Sequence, residues 1–181
     1  MEKASQDLMH EHELILVALD VIEKMVENVK SNKGSDIDDI ERVIGFLKVF
    51  ADKCHHGKEE EYLFPTMEEA GVQKQNGPIG IMLEQHRKGR ELVKQMERSI
   101  TNRSLDEETF AESATAYVSL LRYHIDKEDN LFFPLCDEKL TEQKQKELLR
   151  NFEEIEKNVI GEGVHEELHT LLGRFSKKYL S

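Results

Sequence analysis

The stretch FAESATAYVSLLRYHIDKEDNLFFPL, residues 110–135, carries one apolar stripe that two polar side chains interrupt near its centre. The residues of the stripe recur at alternating steps of four and three, which is the spacing of one face of an α-helix. They are Phe110, Ala114, Tyr117, Leu121, His124, Glu128, Leu131 and Leu135. Burying His124 and Glu128 without partners would strongly destabilise the fold. We therefore predict that a partner, such as a metal ion, satisfies both side chains.

A second stretch of the chain repeats this pattern. HGKEEEYLFP, residues 56–65, and HIDKEDNLFFP, residues 124–134, both begin with His-x-x-x-Glu and both end in Leu, one or two Phe, and Pro. The shared tail indicates an internal repeat, because one such motif could arise by chance but two with the same ending are unusual. The repeat predicts that His56 and Glu60 also lie on an inward stripe.

The side chains next to the second motif are expected to lie outside the site. Neighbouring residues in a helix are rotated by about 100°, so Glu59 and Glu61 are predicted to face solvent. By the same reasoning His55 is predicted to lie at the surface or just behind the ligands. His10, near the start of the chain, is predicted to be exposed.

Four long helical patterns joined by short loops favour an antiparallel up-down-up-down four-helix bundle, so the predicted fold class is all-α. The patterns span residues 6–30, 37–69, 79–101 and 107–139. We predict one bundle domain at residues 1–139 and a short C-terminal helical extension, residues 140–181, packed on it. Ser35 or Asp36 is expected to cap the second helix, and Pro65 is expected to kink or break it.

The first and third helices each place a single histidine, His12 or His86, on the inward stripe. Alone, either would be interpreted as a hydrogen-bonded core residue. Together with the two His-x-x-x-Glu motifs they form a set of four imidazoles and two carboxylates, and a mixed nitrogen and oxygen set of this kind suits iron or manganese. Such a set can hold two ions, and Glu60 and Glu128 would bridge them by symmetry.

Composition and charge exclude several classes of function. The chain has 181 residues and a formal net charge of −12, which argues against nucleic acid or an anionic membrane as a partner. It has no apolar stretch that could serve as a secretory signal or a transmembrane helix, so we expect a cytoplasmic protein with no membrane partner. Cys54 and Cys136 are too few for a four-thiolate cluster and are predicted to lie too far apart for a disulfide.

The two His-x-x-x-Glu motifs, their Leu-Phe-Pro tails and the single inward histidines at 12 and 86 resemble the hemerythrin-like, or HHE cation-binding, proteins. The resemblance extends over residues 8–137. It implies a bundle that holds a non-haem di-iron site, with two Fe ions joined by an oxo or hydroxo bridge and manganese less favoured. It also implies Glu60 and Glu128 as bridging carboxylates, and a diatomic molecule or a peroxide as the small ligand.

One position departs from the oxygen-carrying members of this family, which have a second histidine where this chain has Arg90. A permanently charged guanidinium is a poor ligand for a cation. His165 is therefore our candidate for the missing nitrogen, followed by His169. The alternative is a metal position that is left open to solvent and substrate.

Three functions are consistent with these residues: reversible binding of dioxygen, turnover of peroxide or nitric oxide, and iron or redox sensing through a protein partner. A ferritin-type site is disfavoured because its Glu-x-x-His motifs would lie on two different helices, whereas here both, at 162–165 and 166–169, share one segment. The chain lacks a four-cysteine electron-transfer module, so any redox partner is expected to be a separate molecule. Gly89, on the inward stripe of the third helix, is expected either to leave room for a ligand or to allow close helix packing.

Overall fold

A computed structural model describes residues 3–34 and 36–181, and its architecture is all-α, as predicted. The first helix is α1, Ala4–Lys30. The second helical rod is made of α2 (Ile37–Phe46), π1 (Leu47–His56), π2 (Glu59–Leu63) and α3 (Phe64–Glu69). The third rod is α4 (Pro78–Arg98), and the fourth is made of α5 (Glu107–Lys127), π3 (Glu128–Phe132) and α6 (Phe133–Lys139). The chain then forms α7 (Glu142–Glu154), π4 (Ile155–Ile160) and α8 (Val164–Tyr179).

The predicted ends of the second and fourth rods are confirmed, at residues 37–69 and 107–139. The third rod ends three residues earlier than predicted, at Arg98. The reason is a short antiparallel hairpin that was not predicted, in which β1 (Ile100–Thr101) pairs with β2 (Ser104–Leu105). Two-residue strands of this kind leave almost no periodic signal in a sequence.

The N-terminus of α2 is capped by Asp36, whose side chain accepts a hydrogen bond from the amide of Asp39. This bond satisfies one of the first-turn amides that have no partner inside the helix. Ser35, the other residue predicted as this cap, lies outside the described residues.

The α-helical spacing predicted for the second rod is wrong around its motif, where the backbone widens into π-helix. One series of buried residues there is spaced by four positions throughout: Leu47, Ala51, His55, Glu59 and Leu63. In an α-helix four residues exceed one turn, so this step would drift around the rod. The wider π turn, with its i→i+5 hydrogen bonds, keeps the step on one face. The inward face is therefore the one that carries His55 and Glu59.

Each motif ends in a proline, and the rod continues through it without a break. Pro65 follows π2, and Pro134 follows π3. A proline has no amide hydrogen, and in a regular α-helix its ring clashes with the carbonyl four residues earlier; a π-bulge is one way in which a helix absorbs such a clash. The widening also places Leu131, predicted on the inward stripe, at the surface with 63% exposure, and buries Phe132 instead.

The buried apolar residues form two clusters, and each of the four rods contributes to both. Along α1, Leu8 belongs to one cluster and Ile15 to the other, with His12 between them. Along the fourth rod the order is reversed, because Leu121 belongs to the cluster of Ile15 and Phe132 to the cluster of Leu8. The polar side chains of the motifs are thus enclosed by apolar residues on both sides.

The residues after Lys139 pack on two of the rods. Helix α8 lies along α1, and π4 contacts π1. Cys54 and Cys136 form no disulfide with each other, as predicted, and both are buried. Over residues 3–34 and 36–181, no helix has the length and apolar character needed to span a membrane.

Candidate metal centre

Seven buried side chains from the four rods converge between the two apolar clusters. They are His12, His55, His56, Glu59, His86, His124 and Glu128. Their ligand atoms form two groups, each with all atoms within 4.8 Å of one another. The three-histidine position comprises His56, Glu59, His86 and His124, and the two-histidine position comprises His12, His55, Glu59 and Glu128.

Both carboxylates lie between the two positions. Glu59 Oε1 is 3.6 Å from His55 Nε2, and Glu59 Oε2 is 3.4 Å from His86 Nε2. Glu128 Oε2 is 3.2 Å from His12 Nε2 and 3.3 Å from His124 Nε2. Each carboxylate therefore contacts one imidazole of each position, as a bridge between two cations would require.

An acceptor on the outer side of the centre, at Nδ1, fixes the orientation of each of the five imidazole rings. Each Nδ1 faces an oxygen atom that can accept its hydrogen, which leaves the lone pair of Nε2 directed inward. The pairs are His12–Asp129 at 2.7 Å, His55–Glu11 at 2.9 Å, His56–Asp52 at 3.4 Å, His86–Glu60 at 2.7 Å and His124–Gln85 at 2.8 Å. This is the arrangement that orients metal-ligating histidines in proteins.

The inward atoms fit a metal because they lack other partners. His86 Nε2 and His124 Nε2 are 3.1 Å apart, a contact in which only one of the two nitrogen atoms can carry the hydrogen. Within the described part of the chain, seven buried side-chain atoms have no hydrogen-bond partner, and all seven belong to this centre: Nε2 of His12, His55 and His56, and both oxygens of Glu59 and Glu128. Orphaned buried polar atoms are costly. A cation between them would satisfy the whole set.

Without a metal ion, the raised pKa values of His12, His86 and Glu128 favour protons on these three side chains. Burial lowers the pKa of His12, but the hydrogen bond with Asp129 and the nearby charge of Glu128 outweigh it and raise that pKa above its usual range. Burial likewise lowers the pKa of His86, but the hydrogen bond with Glu60 and the nearby charge of Glu59 outweigh it and raise that pKa. Burial and the charge of Glu59 also raise the pKa of Glu128. A bound cation would replace these protons, so metal uptake near neutral pH should release them.

The structure brings together five of the seven residues predicted as metal ligands: His12, His56, His86, His124 and Glu128. Glu60 and His165 belong to neither position. Glu60 is half-buried and accepts a hydrogen bond from His86 Nδ1, so it lies behind a histidine instead of between the two positions. The ring of His165 lies 5.2 Å from that of Phe50, and His169, its alternative, is exposed.

His55 and Glu59 both belong to the centre, although His55 was predicted to lie at the surface or just behind the ligands and Glu59 to face solvent. The expectation that Glu59 faces solvent is wrong, because both side chains are fully buried in the widened second rod. One signal could have identified them, since the carboxylate that precedes each proline by six residues is Glu59 before Pro65 and Glu128 before Pro134. When the two motifs are aligned at their prolines, His55 corresponds to His124 and Glu59 to Glu128. His56 then has no counterpart in the other motif and is an additional imidazole.

A pocket of about 220 Å³ opens beside the three-histidine position, and His56, Gly89, Arg90 and Tyr117 are among its lining residues. A Cβ atom at Gly89 would lie 3.6 Å from side-chain atoms of Leu121 and Tyr117, which is an ordinary van der Waals distance. Close helix packing therefore does not require glycine here. Of the two roles predicted for Gly89, the geometry favours leaving room for a ligand.

Residues 3–136 match the family model described as the hemerythrin HHE cation binding domain. Three curated proteins are 24% identical to the chain over 163 residues; one is from Mycobacterium bovis and two are from strains of Mycobacterium tuberculosis, and all three are described as uncharacterized. The match covers 88% of this chain and 63% of each relative, so the chain spans less than two thirds of their length. No solved structure matches the chain.

Proposed function

We infer that this chain, which belongs to the family of hemerythrin HHE cation-binding domains, holds two iron ions and uses them to react with dioxygen, peroxide or nitric oxide. The observation that carries the proposal is the convergence of five imidazole Nε2 atoms and two carboxylates, seven of whose atoms lack any other partner among the described residues. A set of nitrogen and oxygen donors suits iron, with manganese as the less favoured choice.

The ligands divide unequally between the two ions. His56, His86 and His124 would hold one ion, and His12 and His55 would hold the other, while Glu59 and Glu128 would be shared. Bound iron supplies one-electron and oxygen chemistry that amino-acid side chains cannot provide. The protein's own contribution is to orient the imidazoles through their Nδ1 partners and to exclude water with the two apolar clusters.

The pocket beside His56 limits what can reach the centre. Its volume of about 220 Å³ admits only a small molecule, and Gly89 contributes no side chain to fill it. We propose that a diatomic molecule or a peroxide enters there. Both cysteines are buried and free, so electrons would come from a separate redox partner protein.

We further propose that residues 1–139 form an antiparallel four-helix bundle around the centre and that residues 140–181 are an extension packed on it. Support comes from the order of the apolar clusters, which reverses between α1 and the fourth rod. The second rod runs from Ala51 in one cluster to Leu63 in the other, and α4 runs back from Met82 to Val93. This alternation is the one that an up-down-up-down connection produces.

Turnover of a substrate is favoured over reversible oxygen carriage because Arg90 stands where the oxygen carriers have a ligand histidine. We expect the reduced, iron-loaded protein to oxidise in air without an optical band that disappears under vacuum. We also expect it to evolve oxygen from added hydrogen peroxide over many turnovers. Optical spectra and an oxygen electrode measure both effects, with the metal-free protein as the control. A stable band that is reversible under vacuum, without oxygen evolution, would instead identify a carrier.

A further inference from the structure

Arg90 joins two carboxylates at the edge of the three-histidine position. Its Nε donates to Asp52 Oδ1 at 2.8 Å, and its Nη2 donates to Glu60 Oε1 at 2.7 Å. The planar guanidinium presents its N–H groups in a fixed fork, so it can hold two acceptors at once, which a lysine ammonium on a flexible stem does less well. The side chain is 37% exposed and lines the pocket beside His56.

The two oxygen atoms that Arg90 contacts are the same atoms that face imidazoles. Glu60 Oε1 accepts from His86 Nδ1 at 2.7 Å, and Asp52 Oδ1 lies 3.4 Å from His56 Nδ1. We propose that Arg90 is a positioning residue, which fixes His56 and His86 by clamping the two carboxylates behind them. The proposal rests on the proposed function, because it assigns a role to Arg90 in metal binding.

The clamp is needed because these two carboxylates are accessible to water. Asp52 and Glu60 are 31% and 25% exposed, so without Arg90 either side chain could rotate towards solvent and release its imidazole. Outer partners of ligating histidines fix the ring orientation, and their loss typically weakens metal binding by about 10–100-fold.

At the two-histidine position a lysine side chain takes the role that Arg90 has at the other position. There Lys58 binds Glu11 at 2.7 Å, and Glu11 in turn faces His55 Nδ1 at 2.9 Å. Each position thus has its own basic residue behind a carboxylate. The effect of changing Arg90 should therefore be confined to the three-histidine position.

Arg90 also explains how the chain compensates for the histidine that oxygen carriers have at this place. The third imidazole comes from His56, which lies next to the motif histidine His55, and Arg90 holds that imidazole in place through Asp52. The position of Arg90 thus holds a metal ligand in the oxygen carriers, whereas in this chain it holds a residue that supports the ligand His56.

The test compares Arg90→Gln and Arg90→Lys with the parent by titrating iron(II) anaerobically against a chelator of known affinity. The parent should bind two equivalents. Arg90→Gln should bind one equivalent with nearly the parent's affinity and the other about 10–100-fold more weakly. For that weaker equivalent, the affinity of Arg90→Lys should lie between those of the parent and Arg90→Gln. Mössbauer spectra of the protein loaded with ⁵⁷Fe should show a change in the signal of one iron only.

Arg87→Gln is the matched control, because Arg87 lies on the same helix but pairs with Glu84 and Glu91, which are exposed and lie outside the metal centre. This variant should titrate like the parent. Two parent-like equivalents in both Arg90 variants would overturn the positioning role while leaving the proposed function intact. Equal weakening of both equivalents, together with a less stable metal-free protein, would mean a merely structural role and would also overturn it. A parent that binds no iron would contradict the proposed function itself.

Discussion

Replacing Glu59 with glutamine is expected to abolish stable binding of both metal ions, although the change preserves the size of the side chain. Glu59 is fully buried, its two oxygens lie near one histidine of each position, and neither oxygen has a hydrogen-bond partner among the described residues. Loss of an outer partner costs about 10–100-fold in metal affinity, so loss of a carboxylate that both ions would share in the proposed centre should cost more than about 100-fold at each position. Metal content after gel filtration and chelator competition measures this loss.

The neighbours of Glu59 provide graded controls. Glu60→Gln removes only the charge behind His86 and should weaken one equivalent, whereas Glu61→Gln alters an exposed side chain and should change nothing. The metal-free form of Glu59→Gln should be no less stable than the metal-free parent, because the buried carboxylate that it replaces has no hydrogen-bond partner there. If Glu59→Gln bound two ions and Glu60→Gln bound none, the bridge would be Glu60, as the helical spacing of the sequence first indicated.

The second large effect is expected from Lys58→Met, which should destabilise the protein by about 3–5 kcal/mol, the usual result of removing one partner of a buried ion pair. Lys58 is fully buried, and its Nζ lies 2.9 Å from Asp7, 2.7 Å from Glu11 and 2.7 Å from Glu156. Without the ammonium, the buried carboxylate of Glu11 would face the partly exposed carboxylates of Asp7 and Glu156 with no compensating charge between them. Chemical denaturation of the metal-free protein measures the loss, and Lys53→Met, at an exposed position of the same rod, should show almost none.

The loss should depend on pH in a definite direction. Burial raises the pKa of Glu11 from its ordinary value of 4.5 to about 7, even though Lys58 lowers it. A carboxyl group with a raised pKa binds its proton more tightly in the folded state, so the folded state gains stability as the pH falls from about 7 towards 4.5. Because Lys58 lowers the pKa of Glu11, its removal should raise that pKa further, so the variant gains more stability than the parent as the pH falls. The deficit of Lys58→Met should therefore be largest above pH 7 and smaller near pH 5. A deficit independent of pH would show that the lost packing of the lysine stem, and not its charge, causes the effect.

Lys58 also connects the C-terminal segment to the metal centre. Glu156 lies in π4, while Glu11 faces Nδ1 of His55. The sequence had suggested His165 for this connection, but that ring lies against Phe50 and is half-buried. A buried lysine that links two acidic residues of α1 to one of π4, far away in the chain, leaves no local pattern, so this link could be found only from the fold.

How far the sequence could predict the centre depends on the type of helix that carries each residue. His12 and His86 lie on regular α-helices, and their inward orientation followed from the spacing of apolar residues. In the second rod the π-helix shifts the inward face by one residue, so the α-helical spacing selected Glu60 where the fold buries Glu59. The same spacing predicted that His124 and Leu131 both face inward. His124, at the end of the regular helix α5, is buried, whereas Leu131, within π3, is exposed.

The most direct test of the central claim is the number of iron ions that the purified chain holds after anaerobic loading and removal of excess metal. Two shared carboxylates and five inward imidazoles predict two irons per chain, with the second lost in His56→Ala or His12→Ala and both retained in His10→Ala, whose side chain is exposed. One metal ion per chain, or stoichiometric zinc without uptake of iron, would contradict the proposed di-iron centre.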